Sequence, residues 1–595
     1  MTNRSIAQIF FDIADIIELT KPDDKFRFIA YRNAAQKIAN WPEPLVDIYN
    51  QKGVEGLDAI SGVGEAIAQK IAEIITTGEL KYYKDLKKTV KGPELDFAQI
   101  PSVGPKNAVK LYRLTKAKNV AELARKLRGK TELGPFKQKT IDNVLRGIEL
   151  QQKTGTRKLL DDVLPLATDI VAYLGKLSGV HAVNYVGSLR RYKETIGDVD
   201  IVASSDNPKS TIAEFIKYVP GTIIAQGDTK ATVINADNIQ IDLEILPEDE
   251  YGSLLQHFTG SKEHNVAFRT YLQSVGLSFS EHGIKKLRSG RWPLMTPDID
   301  RTQRKQLDSA KQNLIIKCAT EEEVYNYSGM AWMPPEMRED RGEISLAIKH
   351  RLPKLIDNKN IRGDLHVHTT SSDGSNTIEE YSIAAKKAGY QYIAITDHSP
   401  GLAIAHGQTP EEVLKQMNTI ERINRSQHGL TVLHGIEVNI NSDGSLDMAD
   451  DILKRLNIVT AAIHTGFRQD KDMITMRYLR AIESGRVNII SHPTGRLLNM
   501  REAFSADWDS IYQACAKFRV ALEINCSPDR LDLPDYMIHS ARKYNLMFAI
   551  STDAHDMEQF GNMKYGVAVA RRGWLPASQV LNTLALAQLQ KWLAR

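Results

Sequence analysis

Twelve residues of the 595-residue chain stand out by type and spacing, and they form two sets. The first begins in VGSLRRYKETIGDVDIV, Val186 to Val202, and is completed some 40 residues later in NIQIDLEIL. Residues two apart in a strand face the same side, so Asp198 and Asp200 can hold the same divalent ions. Asp242, on another predicted strand, adds a third carboxylate. Three oxygen donors shared with substrate phosphates suit Mg²⁺ or Mn²⁺, and the chemistry they permit is in-line displacement at phosphorus. Gly187, Ser188, Arg191 and Gly197, in the turn between the strands, are placed to hold triphosphate oxygens. A lone Asp-x-Asp is usually a solvated strand edge; the Gly-Ser before it and Asp242 after it make this one a candidate site.

The second set lies beyond residue 360, where 10 of the 15 histidines fall. Short β-rich runs alternate there with helical ones, and each run ends in metal-ligand residue types: DLHVHTTSSDG with His366, His368 and Asp373, YIAITDH with His398, VLHGIE with Glu437, VTAAIH with His464, VNIISH with His492, and AISTDAH with Asp553 and His555. Active sites of α/β barrels are built at that end of the strands. Imidazoles with bridging carboxylates suit two or three Mn²⁺, Zn²⁺ or Fe²⁺ ions better than Mg²⁺. His406, His428 and His434 lack this context and are expected to be structural or substrate-facing. His539 is expected at the surface or in packing. Arg496, Asn525 and Cys526 are candidates for the substrate path or ordinary loop residues.

The elements positioning these sets fall into several domains, as about 100 to 200 residues per domain predicts. A 42% hydrophobic, 25% charged composition is that of an ordinary soluble protein, no apolar run approaches a membrane span, and three cysteines point to a reducing, intracellular setting, expected to be the cytoplasm. The net charge of +4 conceals a basic block: residues 101 to 150 hold 12 Lys/Arg against 4 Asp/Glu. Residues 1 to about 150 have helical periodicity, and ISGVGEAIAQKI from Ile60 is echoed by IPSVGPKNAVKLY from Ile100. In each, glycines (Gly62, Gly64; Gly104) precede a helix, the form of a helix-hairpin-helix clamp on a phosphate backbone; Ser102 replaces the usual first glycine of the second copy. Lys106 sits in that second copy, and a third echo is expected at LGPFKQKTIDNVL from Leu133.

These motifs resemble the X family of DNA polymerases, the family of DNA polymerase beta, over the first 340 residues. FTGSKEHN, from Phe258 to Asn265, resembles the family's nucleotide pocket, which implies that Gly260, Asn265 and Arg269 face the nascent base pair and that His257-Phe258 stands where relatives commonly carry Tyr-Phe. Glu244 replaces a frequent Arg. AYRNAAQKIAN, from Ala30, resembles the domain that grips the 5′ side of a gap, implying DNA contacts by Tyr31 and Lys70. In several relatives the matching lysine forms a Schiff base with an abasic sugar, although Ala66 replaces their supporting lysine here. The half from residue 363 onward resembles, over about 210 residues, the PHP (polymerase and histidinol phosphatase) family, with all nine ligand positions filled. That implies phosphoester hydrolysis, as a Mn²⁺-dependent 3′-5′ exonuclease with abasic-site cutting as a further activity.

The fold expectation is multidomain α+β and α/β: a helical helix-hairpin-helix domain over 1–85, fingers with a second copy over 86–155, a nucleotidyltransferase palm over 156–250, a thumb over 251–325, a linker over 326–362 and a distorted (β/α)7 PHP barrel over 363–595. The expected partners are gapped or primer-template DNA and dNTPs, with no membrane, for a monomer acting at the nucleoid. A structural or pyrophosphatase PHP domain, and a non-catalytic DNA-end scaffold, are the alternatives left open.

Overall fold

The computed structural model describes residues 3–39, 41, 45–60, 63–90, 92–100, 103–154, 157–287, 315–402, 405–426, 429–467 and 469–594. Gly62, Ser102 and His428 lie outside the described residues, as does part of the expected thumb. The chain divides into two compact units, Met1–Arg157 with Arg496–Ala503, and Lys158–Gly495 with Phe504–Arg595.

The first unit is almost wholly helical and has two cores. Helices Asn3–Thr20, Lys25–Ala39, Leu45–Asp58 and Glu65–Thr77 bury Phe10, Ile13, Ile38, Leu57 and Ile71 against one another. A second core joins Phe97, Leu111, Leu123 and Ile141. Local signals set the ends of these helices: Asn119 caps Val120–Leu127 by accepting from the Glu122 N–H at 2.8 Å, while Arg125 and Lys126 complement its carboxyl end. The expected third echo also sets a glycine turn before a helix. Glu132–Leu133 and Phe136–Lys137 pair as a small antiparallel hairpin, turned by Gly134 at φ 56°, before helix Gln138–Thr154. An extended residue on each side of Gly134 pairs before a helix can start, so the segment is hairpin-then-helix.

In the second unit, the amino-terminal sheet has strand order Val180–Tyr185, Asp198–Ser205, Gln240–Leu246, Lys230–Asn235, Gly221–Gln226. Asp198–Ser205 and Gln240–Leu246 run parallel, with Asp200 opposite Asp242. A three-stranded antiparallel sheet, Leu277–Ser280, Gly283–Lys286 and Ile315–Ile316, follows. The segment expected to be a linker is instead packed: Met330, Met333 and Ala347 are buried with Phe268, Leu272, Phe279 and Tyr325. Its dense mixed charge is used inward. Arg338 is buried against Glu321 at 2.5 Å and Glu343 against His264 at 2.7 Å, charges that look from composition like those of a solvated connection.

Seven parallel strands follow in sequential order, Gly363–Val367, Tyr392–Ile395, Thr431–Asn439, Ile458–Ala462, Ile489–Ile490, Ala521–Asn525 and Phe548–Ser551. A bridge between Val367 and Ala554 brings the last strand back to the first. Nearly every residue in these strands is buried, as expected where helices cover one face and the barrel interior the other. The helical, mixed and barrel regions agree with the fold class read from the sequence.

Candidate active sites

In the palm-like sheet, the parallel register puts Asp198, Asp200 and Asp242 on one face of two adjacent strands. Burial, and then the charges of Asp198 and Asp242, raise Asp200 to about 7. Gly187 has φ 62°, and a Cβ there would stand 2.6 Å from Asp200 Oδ2. Only glycine lets the turn lie this close to the carboxylate. Asp242 is oriented from both sides, accepting from the Thr232 hydroxyl and, at 2.7 Å, from Gln240 Nε2. Glu244, whose unusual charge stands behind the cluster, is paired with Lys230 at 2.8 Å.

Ser188 is half-buried in the short helix Gly187–Arg190, and Gly197 joins Thr195–Ile196 to Asp198–Ser205. Arg191 is buried, donating from Nε to Glu339 at 3.0 Å and from Nη1 to the Thr259 carbonyl. Burial depresses its pKa and Glu339 opposes that effect. The FTGSKEHN residues also converge. Asn265 donates to the His257 carbonyl at 2.7 Å, and Arg269 donates to His257 Nδ1 at 3.0 Å. Burial and the Arg269 charge lower the His257 pKa, which keeps that ring neutral and able to accept. Phe258 packs against Val186 and Leu254, and Gly260 has φ 65° with Arg191 Nη1 just 3.1 Å from where a Cβ would be.

In the barrel all nine predicted residues meet. Three groupings have ligand atoms within 4.8 Å of one another: His368, Asp373, His398 and His555; His366, His368 and Asp553; His398, Glu437 and His464. His492 joins them, its Nε2 3.0 Å from Glu437 Oε1. Six of the seven strand ends supply these side chains. The remaining strand, Ala521–Asn525, supplies their support: Glu523 accepts from His366 Nδ1 at 2.7 Å and from the His492 N–H at 2.6 Å. Asn439 Oδ1 accepts from His464 Nδ1 at 2.6 Å, and the Asp553 carbonyl from His555 Nδ1 at 2.8 Å. Each bond places the ring proton on Nδ1 and turns the Nε2 lone pair inward.

The donor set fits cations. Glu437 is fully buried, yet neither carboxylate oxygen has a hydrogen-bond partner, and His368 Nδ1 and His398 Nδ1 are likewise unpartnered. Buried anionic oxygens in that state are costly unless a cation meets them. His366 and His368 also bring their Nε2 atoms within 2.9 Å of each other, where one N–H can bridge them or one cation can take both lone pairs. Burial opposes charge on His366, but Glu523, Asp553 and Glu437 raise its pKa well above the ordinary imidazole value, a sign of strongly negative surroundings.

Other candidates take supporting places. Asn525 donates to Asp553 at 3.0 Å and to Glu523 at 3.1 Å, which ties it to the cluster's scaffold, not to a substrate path. Cys526 is buried under Gly566. His434 is buried and bonded to Gln416 at 3.2 Å, His539 packs edge-on to Trp574, and His406 is exposed. Glu523 and Asn439 were not singled out by sequence reasoning. An acid inside the apolar strand ALEIN was the available signal.

Within the first unit, Gly64 precedes helix Glu65–Thr77 and Gly104, at φ 65°, opens helix Gly104–Thr115. Lys106 is mostly exposed, 3.9 Å from Glu18. Tyr31 is buried, stacked between Phe10 and Tyr82, so it supports the cations around it and does not present its own face. Arg27 donates to the Tyr82 hydroxyl at 2.8 Å, and Lys70 lies over the same ring while donating to the Ala66 carbonyl at 2.8 Å. Burial, then the Arg27 charge, lowers the Lys70 pKa, the direction a Schiff-base amine requires.

Comparison with known proteins adds three family matches: a helix-hairpin-helix domain at residues 1–80, a DNA polymerase beta thumb at 254–339 and a PHP domain at 364–527. A DNA polymerase/3′-5′ exonuclease PolX of Bacillus subtilis (strain 168) is 32% identical over 604 residues, spanning 100% of both chains. Probable phosphatases of Shewanella sp. (strain W3-18-1) and Proteus mirabilis (strain HI4320) are each 31% identical over 37% of this chain, covering 86% and 89% of their own lengths. No described helix is long and apolar enough to cross a membrane. With likeness to PolX running from end to end and the thumb, helix-hairpin-helix and PHP domains joined in one polypeptide, the chain belongs to the family X DNA polymerases that carry a PHP domain.

Proposed function

We propose that the chain is a DNA-directed DNA polymerase that fills short gaps during repair and trims DNA 3′ ends with its barrel, working on primer-template DNA and dNTPs in the cytoplasm, at the nucleoid. The observation that carries this reading is the coexistence of two clusters of different chemistry: three carboxylates in one register, and nine side chains, six of them imidazoles, that include the buried Glu437 whose oxygens have no hydrogen-bond partner.

Asp198, Asp200 and Asp242 would hold two Mg²⁺ or Mn²⁺ ions together with triphosphate oxygens. Ser188, Arg191 and Gly197 line the triphosphate side, with His257, Phe258, Gly260, Asn265 and Arg269 shaping the pocket for the base pair. His366, His368, Asp373, His398, Glu437, His464, His492, Asp553 and His555 would hold three ions, Mn²⁺, Zn²⁺ or Fe²⁺. In both places divalent ions supply Lewis-acid stabilisation of charge developing at phosphorus and ease deprotonation of the attacking hydroxyl or water. The protein's own work is orientation: Gln240 and Thr232 hold Asp242, Glu523 and Asn439 fix two ring tautomers, and the barrel walls keep the cluster buried. Helix starts at Gly64 and Gly104, with Lys70 and Lys106, would grip the DNA backbone without reading sequence.

One gapped duplex, labelled at the primer 5′ end and incubated with Mn²⁺ with and without dNTPs, tests both activities. Wild type should lengthen the primer with dNTPs and shorten it without them. Asp200→Asn should abolish lengthening and keep shortening, and His368→Ala the reverse. Loss of both activities in either variant, or of neither, would overturn the division of labour.

A further inference from the structure

The turn that carries Arg191 is held by a residue of the barrel. Arg572, the last residue of helix Met563–Arg572, is wholly buried. Its Nη1 donates to the Arg191 carbonyl at 2.7 Å and to Glu339 Oε1 at 3.0 Å, and its Nη2 donates to Asp535 Oδ2 at 2.5 Å. Glu339 Oε1 is also the oxygen that accepts from Arg191 Nε, so one carboxylate oxygen joins a palm guanidinium to a barrel guanidinium. Arg341 closes the lattice, donating to the same Asp535 oxygen at 3.0 Å and to the Arg572 carbonyl at 3.4 Å.

The next residue shows why the turn needs such a hold. Tyr192 has φ 53°, the left-handed region that bulky side chains avoid. Relaxing it would rotate the Arg191–Tyr192 peptide, whose carbonyl Arg572 captures. Strained backbone persists only where its surroundings over-determine it. The Glu339 carboxylate is kept ionised despite burial, chiefly by Arg572 and then by Arg191.

We infer that Arg572 is a positioning residue for the polymerase: from the barrel, it fixes the Arg191 turn in the conformation that receives the triphosphate. This rests on the proposed role of Arg191 and adds that nucleotide binding depends on a barrel side chain that is not one of the nine in the cluster. A lysine at 572 keeps the charge but cannot meet three acceptors with a planar fork.

The test measures dNTP KM and kcat for gap filling, with Mn²⁺-dependent 3′ trimming and melting temperature on the same preparations of the full chain. Arg572→Lys and Arg572→Met should raise the dNTP KM by about tenfold, with kcat and trimming within about twofold, the pattern of lost binding rather than lost chemistry. Should Arg572→Met fail to fold, Arg572→Lys carries the test. An unchanged KM in protein that trims normally overturns the inference, and so does a parallel fall of KM performance, kcat, trimming and melting temperature in both variants. Arg191→Ala separates the two levels. If it leaves KM unchanged, the triphosphate role fails and the inference with it; if it raises KM while Arg572→Lys does not, only the tether fails.

Discussion

In the palm, three carboxylates stand on two neighbouring strands with Asp198 exposed, whereas in the barrel nine side chains converge from six strand ends and several are wholly buried. The palm set offers too few donors to complete the coordination of two divalent ions; phosphate oxygens must finish it. Burial, and then the mutual repulsion of the three carboxylates, raises Asp200 to about 7. In the barrel the donors are more numerous and already aimed, with the Nδ1 protons of three rings donated to Glu523, Asn439 and the Asp553 carbonyl. The contrast teaches that donor count and burial separate ions that travel with a substrate from ions that reside in the protein.

The hardest blow to this contrast falls on Glu437, whose two oxygens lie among His366, His398, His464 and His492. Glu437→Gln should reduce 3′ trimming by roughly 10³-fold, since several kcal/mol of charge stabilisation are withdrawn and each 1.36 kcal/mol is tenfold. Gap filling should stay within about twofold. Resident ions also stabilise the fold that binds them, so chelation should lower the melting temperature of wild type by about 5 to 15 °C and that of Glu437→Gln far less. A variant that still trims within tenfold of wild type, or a wild type indifferent to chelation, would remove the distinction between resident and travelling ions.

How far the sequence carried this reading depended on where each residue's role resides. Asp198 and Asp200 were legible because alternation puts i and i+2 on one face. The nine barrel residues were legible because each ends an apolar run, and barrels gather their strand ends. Glu523 was not, since an acid buried within a strand acquires its role from His366, 157 residues away. Arg191 read as a phosphate ligand by its motif; that Glu339 and Thr259 occupy it, and that Arg572 holds its carbonyl, are long-range contacts with no local signal. Residues 326–362 read as a linker because their charges, which pair in the interior, have the composition of a solvated segment.

A smaller effect sharpens the comparison from the support layer. Glu523→Gln keeps size but weakens the acceptor for His366 Nδ1 and the His492 N–H. Partners behind metal-facing histidines commonly account for 10- to 100-fold in affinity or activity, so the Mn²⁺ concentration for half-maximal trimming should rise by about that factor, with trimming recovered at saturating Mn²⁺. Gap filling should not change. Trimming that cannot be restored by Mn²⁺ would place Glu523 in the chemistry instead of behind it.

The smallest effect is expected in the palm, where the corresponding support is Gln240. It donates to Asp242 Oδ2 at 2.7 Å, in an exposed position, while the Thr232 hydroxyl holds the other oxygen. A hydrogen bond of this kind contributes about 0.5–1.5 kcal/mol net, and water replaces it readily at an exposed site. Gln240→Ala should therefore raise the Mg²⁺ concentration for half-maximal gap filling by only about two- to fivefold, without altering trimming. If orientation mattered equally in both places, the palm variant would lose as much metal affinity as Glu523→Gln. A shift of 10-fold or more would show that the palm carboxylates, like the barrel set, must be pre-aimed by the protein, and that phosphate oxygens do less of the assembly than their number suggests.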